Sequence, residues 1–384
     1  MKCCLCESNL WLPIPDPIDG RSITTAGNLL NQSLSKGHCQ QCGLLQRINS
    51  AFVGKSDFYE ERYSGYYSRA GAQSYDAPRY SVMADWMCAA LGSFEPRSIL
   101  DVGCGAGWTM RTTRERFPVS EIEGIEPSKI NADLARQAGF EVHVGKIGEG
   151  GGPQKTYDLI YANNVLQHVL SPIEFLDELR GLLSPEGFLI LTCPDSSRPS
   201  NEMLWVDHNY SYSPYHLMQL AQKTGFHAKT WMKNPDNVTL LDKQLILLSK
   251  QNGSPGPELP NIPAWSPEES YKARSHYAES WREIHRFLGA QAKAFSRIFN
   301  FGASSWTFLL AGYCPDYWGK VDCCVVDNFS GNCLDKVVKP LSEIEMGSGD
   351  GLALGVNPVT QESYARRFQS EGWPIVRWDK YVEA

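Results

Sequence analysis

The spacing of three alternating glycines and a later carboxylate is the feature of this chain that most directly suggests a ligand-binding site. The segment Ser98–Gly107 reads SILDVGCGAG, and the segment Glu121–Glu126 reads EIEGIE. The first segment begins as a short apolar strand and enters a glycine turn, and the second is a strand that ends on a carboxylate. Glycine lets the backbone pass close beneath a ligand, and a carboxylate about twenty residues further on can hold two ribose hydroxyls. The pattern predicts a site for a nucleotide-like ligand at Asp101, Gly103, Gly105, Gly107 and Glu126.

Four cysteines near the N-terminus have the spacing of a metal site. They form two pairs, each with two residues between the cysteines, and such a pair places both sulfurs on one tight turn. Two turns supply the four thiolates that zinc prefers in a tetrahedral structural site. Four free thiols or a redox pair are the alternatives, and Cys4 is a neighbour that the spacing favours less. The expected ligands of a structural Zn²⁺ are Cys3, Cys6, Cys39 and Cys42.

The composition is that of a globular protein in a reducing compartment. Of the 384 residues, 42% are hydrophobic and 21% are charged. No apolar run approaches the roughly 18 residues that cross a membrane, and the N-terminus lacks the apolar stretch of a signal peptide, so we expect a cytoplasmic protein with no membrane partner. The net charge of −7 argues against nucleic acid as a partner. The 12 cysteines do not form a disulfide framework.

The elements that must position these residues alternate along the chain. From residue 96 to about 250, strands and helices alternate, which predicts a largely parallel sheet whose strand ends line a ligand crevice. The strand at Tyr157–Ala162 leads to Asn163 at such an end. The stretch 251–267 is rich in Pro and Gly and predicts a linker. A long helical pattern from Pro267 then precedes a second α/β segment, in which Ser304 is expected to cap a helix.

The spacing G-x-G-x-G directly after Leu-Asp-Val resembles the first motif of class I S-adenosylmethionine methyltransferases, whereas a dinucleotide site would read G-x-G-x-x-G. The stretches 163–169, NNVLQHV, and 182–191, LLSPEGFLIL, resemble the fourth strand, the helix and the fifth strand of that family. The resemblance implies an α/β fold with a Rossmann-like domain and S-adenosylmethionine as cofactor. The cofactor-binding residues that it implies are Asp101, Gly103, Gly105, Gly107, Glu126, Pro127, Asn163 and Tyr63.

The order of segments is similar to that of the sugar C-methyltransferases, which act on nucleotide-linked ketosugars in antibiotic and cell-surface sugar pathways. The resemblance implies methylation of such a sugar at carbon, in sugar or natural-product biosynthesis, with a nucleotide sugar as the small-molecule partner. It also implies four parts, which are a zinc-binding domain (1–50), an aromatic helical connector (51–95), the S-adenosylmethionine domain (96–250) and a Rossmann-like substrate domain (268–384).

The segment 207–213, DHNYSYS, carries the proposed general base of that family. C-methylation needs a proton removed from a carbon beside a carbonyl, and the resulting enolate attacks the methyl group. The resemblance implies His208 as the base with Asp207 as its acidic neighbour, and a histidine pKa of roughly 6.5 suits the task. His168 is a second candidate, and Tyr67 of the connector is a third. The choice among them stays open at this point.

The C-terminal segment departs from the sugar C-methyltransferases. It carries SSWT at 304–307 and NFSGN at 328–332, where that family has a more polar loop and a lysine-glycine element. The acceptor, the methylated atom and the oligomeric state therefore remain open. The alternatives are O- or N-methylation of a sugar or natural-product intermediate, a zinc-bearing nucleic-acid methyltransferase, and a cofactor-binding scaffold without catalysis.

Overall fold

The structure is a computed structural model that describes residues 1–48, 60, 72–149, 152–234, 242–250 and 266–382, with the backbone alone for 72–78. The chain folds into two compact units, and each takes residues from both halves of the chain. The boundaries of the four parts predicted from the sequence stay a prediction. Unit 1 comprises Met1–Leu12, Gly37–Arg198 and His208–Ser270, and unit 2 comprises Pro13–Lys36, Pro199–Asp207 and Tyr271–Ala384.

Helices and strands follow one another in the predicted alternation. The N-terminal strands are β1 (Trp11–Pro13), β2 (Ser22–Ile23), β3 (Leu29–Leu30), β4 (Lys36–Cys39) and β5 (Leu45–Arg47). The middle elements are α1 (Ala72–Leu91), β6 (Ser98–Val102), α2 (Trp108–Arg116), β7 (Glu121–Glu126), α3 (Lys129–Gln137), β8 (Glu141–Val144), β9 (Tyr157–Asn163), α4 (Pro172–Leu182), β10 (Leu183–Pro194), a 3₁₀ helix (Asn201–Leu204), β11 (Tyr210–Ser211), α5 (Pro214–Lys223), β12 (His227–Lys233) and β13 (Lys243–Ser249). The C-terminal elements are α6 (Pro267–Ala294), β14 (Arg297–Phe301), α7 (Ser305–Tyr313), α8 (Pro315–Trp318), β15 (Val321–Val326), β16 (Gly331–Cys333), β17 (Lys336–Pro340), a 3₁₀ helix (Leu341–Glu343), β18 (Asp350–Leu354), α9 (Pro358–Ser370), β19 (Ile375–Val376) and a 3₁₀ helix (Asp379–Tyr381). Within the described ranges, no helix is both long and apolar enough to span a membrane.

A seven-stranded sheet with the order β12-β13-β10-β9-β6-β7-β8 forms the centre of unit 1. Strands β6 to β10 run parallel, which confirms the predicted largely parallel sheet. Strand β13 is antiparallel to β10, and β12 is antiparallel to β13, so the whole sheet is mixed. The direction in which strands are added reverses between β6 and β9. Ligands of open α/β sheets bind at the carboxyl ends of the strands at such a point.

The cysteine-bearing N-terminal residues pack against the core of unit 1. Strands β1, β4, β5 and β11 form a four-stranded sheet in that order, and Tyr210 of β11 pairs with Gln46 of β5. Leu5 and Leu44 belong to the same buried cluster as Leu217 of α5 and the central strands. So short a segment has too few apolar residues for a core of its own, and it is stabilised by sharing a larger one.

A six-stranded sheet with the order β16-β17-β15-β14-β18-β19 forms the centre of unit 2. Its neighbouring strands run parallel except for the β16–β17 pair at one edge. This sheet is the second α/β segment that the sequence predicts. Ser304 does occupy the N-cap of α7, but its side chain makes no capping hydrogen bond. Ser304 therefore has the predicted N-cap position, and another residue supplies the side-chain hydrogen bonds of this turn.

Asn300, at 0% exposure, holds the turn between β14 and α7. Its Nδ2 donates to the carbonyl oxygen of Gly302 at 2.8 Å and to Oγ1 of Thr307 at 3.1 Å. Its Oδ1 accepts from the Tyr317 hydroxyl at 2.9 Å. The Thr307 hydroxyl in turn donates to the carbonyl oxygen of Gly355 at 2.9 Å. Each polar group of this buried network has a partner, which makes the network stabilising and geometrically specific.

We expect Asn300→Leu to lower the free energy of unfolding by about 2–4 kcal/mol, because it leaves the buried Tyr317 hydroxyl without its acceptor. Chemical denaturation measures the change. The matched control is Asn332→Leu on the exposed side of edge strand β16, which should change stability by about 0.5 kcal/mol or less. Equal effects of the two substitutions would show that the Asn300 network contributes nothing specific.

Candidate functional site

The glycine turn after β6 is shaped by close packing at two positions and by open space at the third. A Cβ at Gly103 would lie 2.6 Å from Cγ2 of Val165, and one at Gly107 would lie 3.1 Å from Cβ of Ala135. Gly105 also has a positive φ, +53°, but nothing lies within 4 Å of the position its Cβ would take. The space above Gly105 is thus where the backbone can approach a ligand.

The carboxylate of Glu126 bridges the glycine turn and the start of α3. Its Oε2 accepts from the backbone N–H of Gly105 at 2.9 Å, and its Oε1 accepts from the N–H of Ser128 at 2.9 Å. Burial raises the pKa of Glu126, and the two N–H donors oppose that shift. Pro127 lies between these contacts, directly before Ser128, which caps α3. The Asn131 side chain also hydrogen-bonds this carboxylate, and the lone pairs of the two oxygens leave room for a further donor.

Two neighbouring strand ends each bury one polar atom that has no partner in the described part of the chain. Oδ2 of Asp101 in β6 is such an acceptor, and Nδ2 of Asn163 at the end of β9 is such a donor. Burial, with the nearby charge of Glu126, raises the pKa of Asp101 well above its usual range. Buried polar atoms are nearly always paired, so these two indicate a place for a polar ligand.

His168 and His208 lie in contact. Their ring centroids are 4.8 Å apart and the ring planes meet at 82°. Asn209 joins the two segments, because its Nδ2 donates to the carbonyl oxygen of His168 at 2.7 Å and its backbone N–H donates to the carbonyl oxygen of Gln167 at 2.7 Å. The structure therefore brings together the two histidines that the sequence singled out. His208 is buried and His168 is half-buried.

Asp207 has its own structural contacts. Both carboxylate oxygens accept hydrogen bonds from Thr25, one from the backbone N–H at 2.8 Å and one from the hydroxyl at 2.5 Å. Asp207 is fully buried and belongs to unit 2, whereas His208 belongs to unit 1. Its role as the acidic neighbour of the base stays a prediction. Tyr63 and Tyr67, the two predicted connector residues, lie outside the described residues.

The four predicted metal ligands form one cluster, in which all four sulfurs lie within 4.8 Å of one another. Sγ of Cys3 lies 3.6 Å from Sγ of Cys42, and Sγ of Cys6 lies 3.4 Å from Sγ of Cys39. Four sulfurs at about 2.3 Å from a tetrahedral zinc ion lie about 3.8 Å from each other. None of the cysteines is in a disulfide. The cluster thus has the ligand type and spacing that zinc requires.

Helix α5 holds the cysteine turns in place. The Nε2–H of His216 donates to the carbonyl oxygen of Cys42 at 2.9 Å, and the ring Nδ1 accepts from the backbone N–H of Ser213 at 3.0 Å. Lys223 donates to the carbonyl oxygen of Leu5 at 3.2 Å. Because α5 and β11 follow His208 directly, the cysteine cluster is connected to the segment that carries the candidate base.

Sequence reasoning did not single out Gln167, Asn209 or His216. Only His216 had a local signal, since Ser213 followed by Pro214 is typical of a helix start and His216 occupies the third helical position of a capping box. Gln167 and Asn209 are in contact only because distant segments pack together, and no local sequence pattern predicts that contact.

Residues 75–229 match a family model described as a methyltransferase domain. The match covers the glycine turn, Glu126, Asn163 and both histidines. The chain therefore carries a methyltransferase domain, which confirms that part of the predicted resemblance. The finer likeness to the three-domain sugar C-methyltransferases stays a prediction.

Two curated relatives match part of the chain. Malonyl-(acyl-carrier protein) O-methyltransferase of Halalkalibacterium halodurans is 34% identical over 106 residues, which cover 26% of this chain and 39% of that protein. Trans-aconitate 2-methyltransferase of Methylobacterium radiotolerans is 30% identical over 143 residues, which cover 32% of this chain and 55% of that protein. The chain thus spans about half or less of the length of these relatives.

Solved structures of methyltransferases also match part of the chain. The plantazolicin methyltransferase BpumL in complex with SAH is 18% identical, with coverage of 47% of this chain and 87% of that chain and a TM-score of 0.38. The mitomycin 7-O-methyltransferase MmcR is 16% identical, with coverage of 46% and 55% and a TM-score of 0.40.

Proposed function

We propose that this protein transfers a methyl group from S-adenosylmethionine to a small molecule. The observation that carries the proposal is the methyltransferase-domain match over residues 75–229, which contains the glycine turn and the strand ends with their two unpaired buried atoms. S-adenosylmethionine, when bound, supplies an electrophilic methyl group. The protein supplies binding, orientation and a base.

The candidate cofactor site of unit 1, formed by the glycine turn and the ends of β6, β7 and β9, fits S-adenosylmethionine on four observations. Oδ2 of Asp101 is a buried acceptor that suits an ammonium group. The remaining lone pairs of Glu126 suit the ribose hydroxyls, and the open space above Gly105 admits the ligand close to the backbone. Asn163 offers an unpaired N–H to a carboxylate or a carbonyl oxygen. Pro127 follows Glu126 at the edge of the same site.

For the acceptor, we assign methylation at carbon of a nucleotide-linked ketosugar, with His208 as the base. His208 removes the proton beside the carbonyl, and the enolate carbon then attacks the methyl group, so that the proton stays on the imidazole and the sulfur leaves with the bonding pair. The contact between His208 and His168 supports His208 as the base, because the second ring can position the first. Tyr67 remains an alternative base.

Methylation at oxygen is the second candidate function. It is favoured by the relative from Halalkalibacterium halodurans, whose name describes an O-methyltransferase. The same histidine would then take a proton from a hydroxyl, and no enolate would form. N-methylation would need only an uncharged amine at the same place.

We also propose that Cys3, Cys6, Cys39 and Cys42 bind one structural Zn²⁺. The hydrogen bond between the two thiols lowers the pKa of Cys3 and raises the pKa of Cys42, so the proposal rests on the clustering of the four sulfurs. The protein fills all four positions, so the ion holds the fold together and does not reach the acceptor.

Gly105→Ala tests the cofactor site. We expect the methyl group to fill the open space and to weaken SAH binding by about tenfold or more, a loss of about 1.4 kcal/mol. Isothermal titration calorimetry with SAH measures the affinity. Gly139→Ala is the matched control, since Gly139 has φ +84° and likewise has nothing within 4 Å, so it carries similar backbone strain. A wild type that does not bind SAH, or equal losses in both variants, would overturn the assignment.

Cys42→Ser tests the metal site. We expect about one zinc ion per wild-type chain. The variant should lose the zinc and have a lower thermal midpoint, because structural zinc contributes folding energy. Mass spectrometry measures the metal content, and calorimetry measures the thermal midpoint. Cys4→Ser is the control, as Cys4 lies beside the cluster but outside it, and it should retain zinc. Absence of zinc from the wild type would contradict the proposal.

His208→Ala tests the base and the methylated atom together. With a UDP-linked ketohexose and SAH in D₂O, we expect the wild type to exchange the proton beside the carbonyl for deuterium. The variant should exchange it at least about a hundredfold more slowly. Proton NMR measures the exchange. Methyl transfer to this acceptor without any exchange would favour the oxygen. If His208→Ala keeps full exchange and His168→Ala loses it, the general base is His168.

A further inference from the structure

Asn209 presents a buried oxygen whose orientation is fixed by its own amide nitrogen. Its Nδ2 donates to the carbonyl oxygen of His168 at 2.7 Å and lies 3.4 Å from that of Val169. The reverse orientation of the amide would set Oδ1 against two carbonyl oxygens, which repel it. The hydrogen-bond network therefore assigns Oδ1 as an acceptor and nothing else.

This oxygen and the side-chain oxygen of a neighbouring residue, Gln167, are both unpaired. Asn209 is 7% exposed and Gln167 is 3% exposed. Neither Oδ1 of Asn209 nor Oε1 of Gln167 has a hydrogen-bond partner in the portion of the chain that the structure describes. The backbone N–H of Asn209 donates to the carbonyl oxygen of Gln167 at 2.7 Å, so the two residues are neighbours.

The two residues also lie on the segments that carry the histidine pair. Gln167 directly precedes His168, and Asn209 directly follows His208, whose rings are in contact. Within the described residues Gln46 also keeps its amide oxygen unpaired, but Gln167 and Asn209 are the neighbours in sequence of two histidines whose rings are in contact. Buried polar atoms are nearly always paired, so two unpaired amide oxygens on these segments indicate a place for a polar ligand.

We propose that Gln167 and Asn209 accept hydrogen bonds from a hydroxyl or amine of the acceptor molecule, next to the atom that is methylated. The inference rests on the proposed function, since it names the class of acceptor for the same site. A carboxylate in this position has no proton to donate at neutral pH and faces two oxygens, so the site selects donor-bearing acceptors such as polyhydroxylated sugars. A site built for a hydroxyl strongly rejects an analogue that lacks it.

Gln167→Met is the decisive variant, because it removes an unpaired buried amide at nearly constant volume. We expect its thermal midpoint to equal or exceed that of the wild type, while acceptor affinity falls. The probes are two UDP-linked ketohexoses, one with a hydroxyl beside the carbonyl and one with hydrogen there. Their affinities are measured calorimetrically with SAH present, so that no turnover is needed.

The wild type should bind the hydroxyl-bearing probe roughly a hundredfold more tightly than the deoxy probe. In Gln167→Met that preference should shrink to about tenfold or less, with SAH affinity unchanged. Gln222→Met, on an exposed position of α5, is the matched control and should keep the full preference. Asn209→Leu should lose the preference as well, and the dissociation constant of SAH shows whether that variant is folded.

Two results would overturn the inference. One is a wild type that binds both probes equally while it binds SAH, which leaves the proposed function standing. The other is a Gln167→Met variant that keeps the wild-type preference for the hydroxyl-bearing probe. That result would show that the unpaired amide oxygens bind buried water and not the acceptor. A wild type that does not bind SAH would remove the proposed function and the inference together.

Discussion

The hydrogen bond from the backbone N–H of Gly105 to Glu126 is the interaction on which the candidate cofactor site of unit 1 depends. It ties the turn after β6 to the end of β7, and the N–H of Gly145 donates to the Glu126 carbonyl oxygen at 3.1 Å, which adds the end of β8. Three strand ends thus converge on one residue. The positive φ of Gly105, +53°, favours glycine there, and a side chain would occupy the open space above the turn.

Buried polar groups are treated differently in different parts of the chain. Asn300 in unit 2 has every group paired, and His216 uses both ring nitrogens to join α5 to Cys42 and Ser213. In unit 1, by contrast, Asp101 and Asn209 each keep one atom unpaired. Such atoms lower stability when the protein is alone, and they are the groups that a ligand satisfies.

The sequence predicted the parts of the fold that local patterns encode. Ser98–Val102 is a strand as expected, α2 begins at Trp108, and Glu126 ends the next strand, because apolar runs and glycine turns specify short elements directly. The cysteine spacing likewise predicted one cluster. The pairing of β5 with β11, and the membership of residues 13–36 in unit 2, were not predictable, because they depend on contacts between distant segments. The same limit explains why Asn209 was missed, and why the contacts of Asp207 with Thr25 were not foreseen.

The contact between Cys42 and His216 also bears on how the chain is made. The two residues are 174 positions apart, so the carbonyl oxygen of Cys42 has no partner on α5 until the ribosome has synthesised residue 216. Strand β5 likewise has no pairing partner in β11 until β11 has been synthesised. Domains generally fold as units during synthesis, beginning with the N-terminal ones. In this chain the cysteine turns therefore reach their final packing against α5 only after residue 216 has been synthesised.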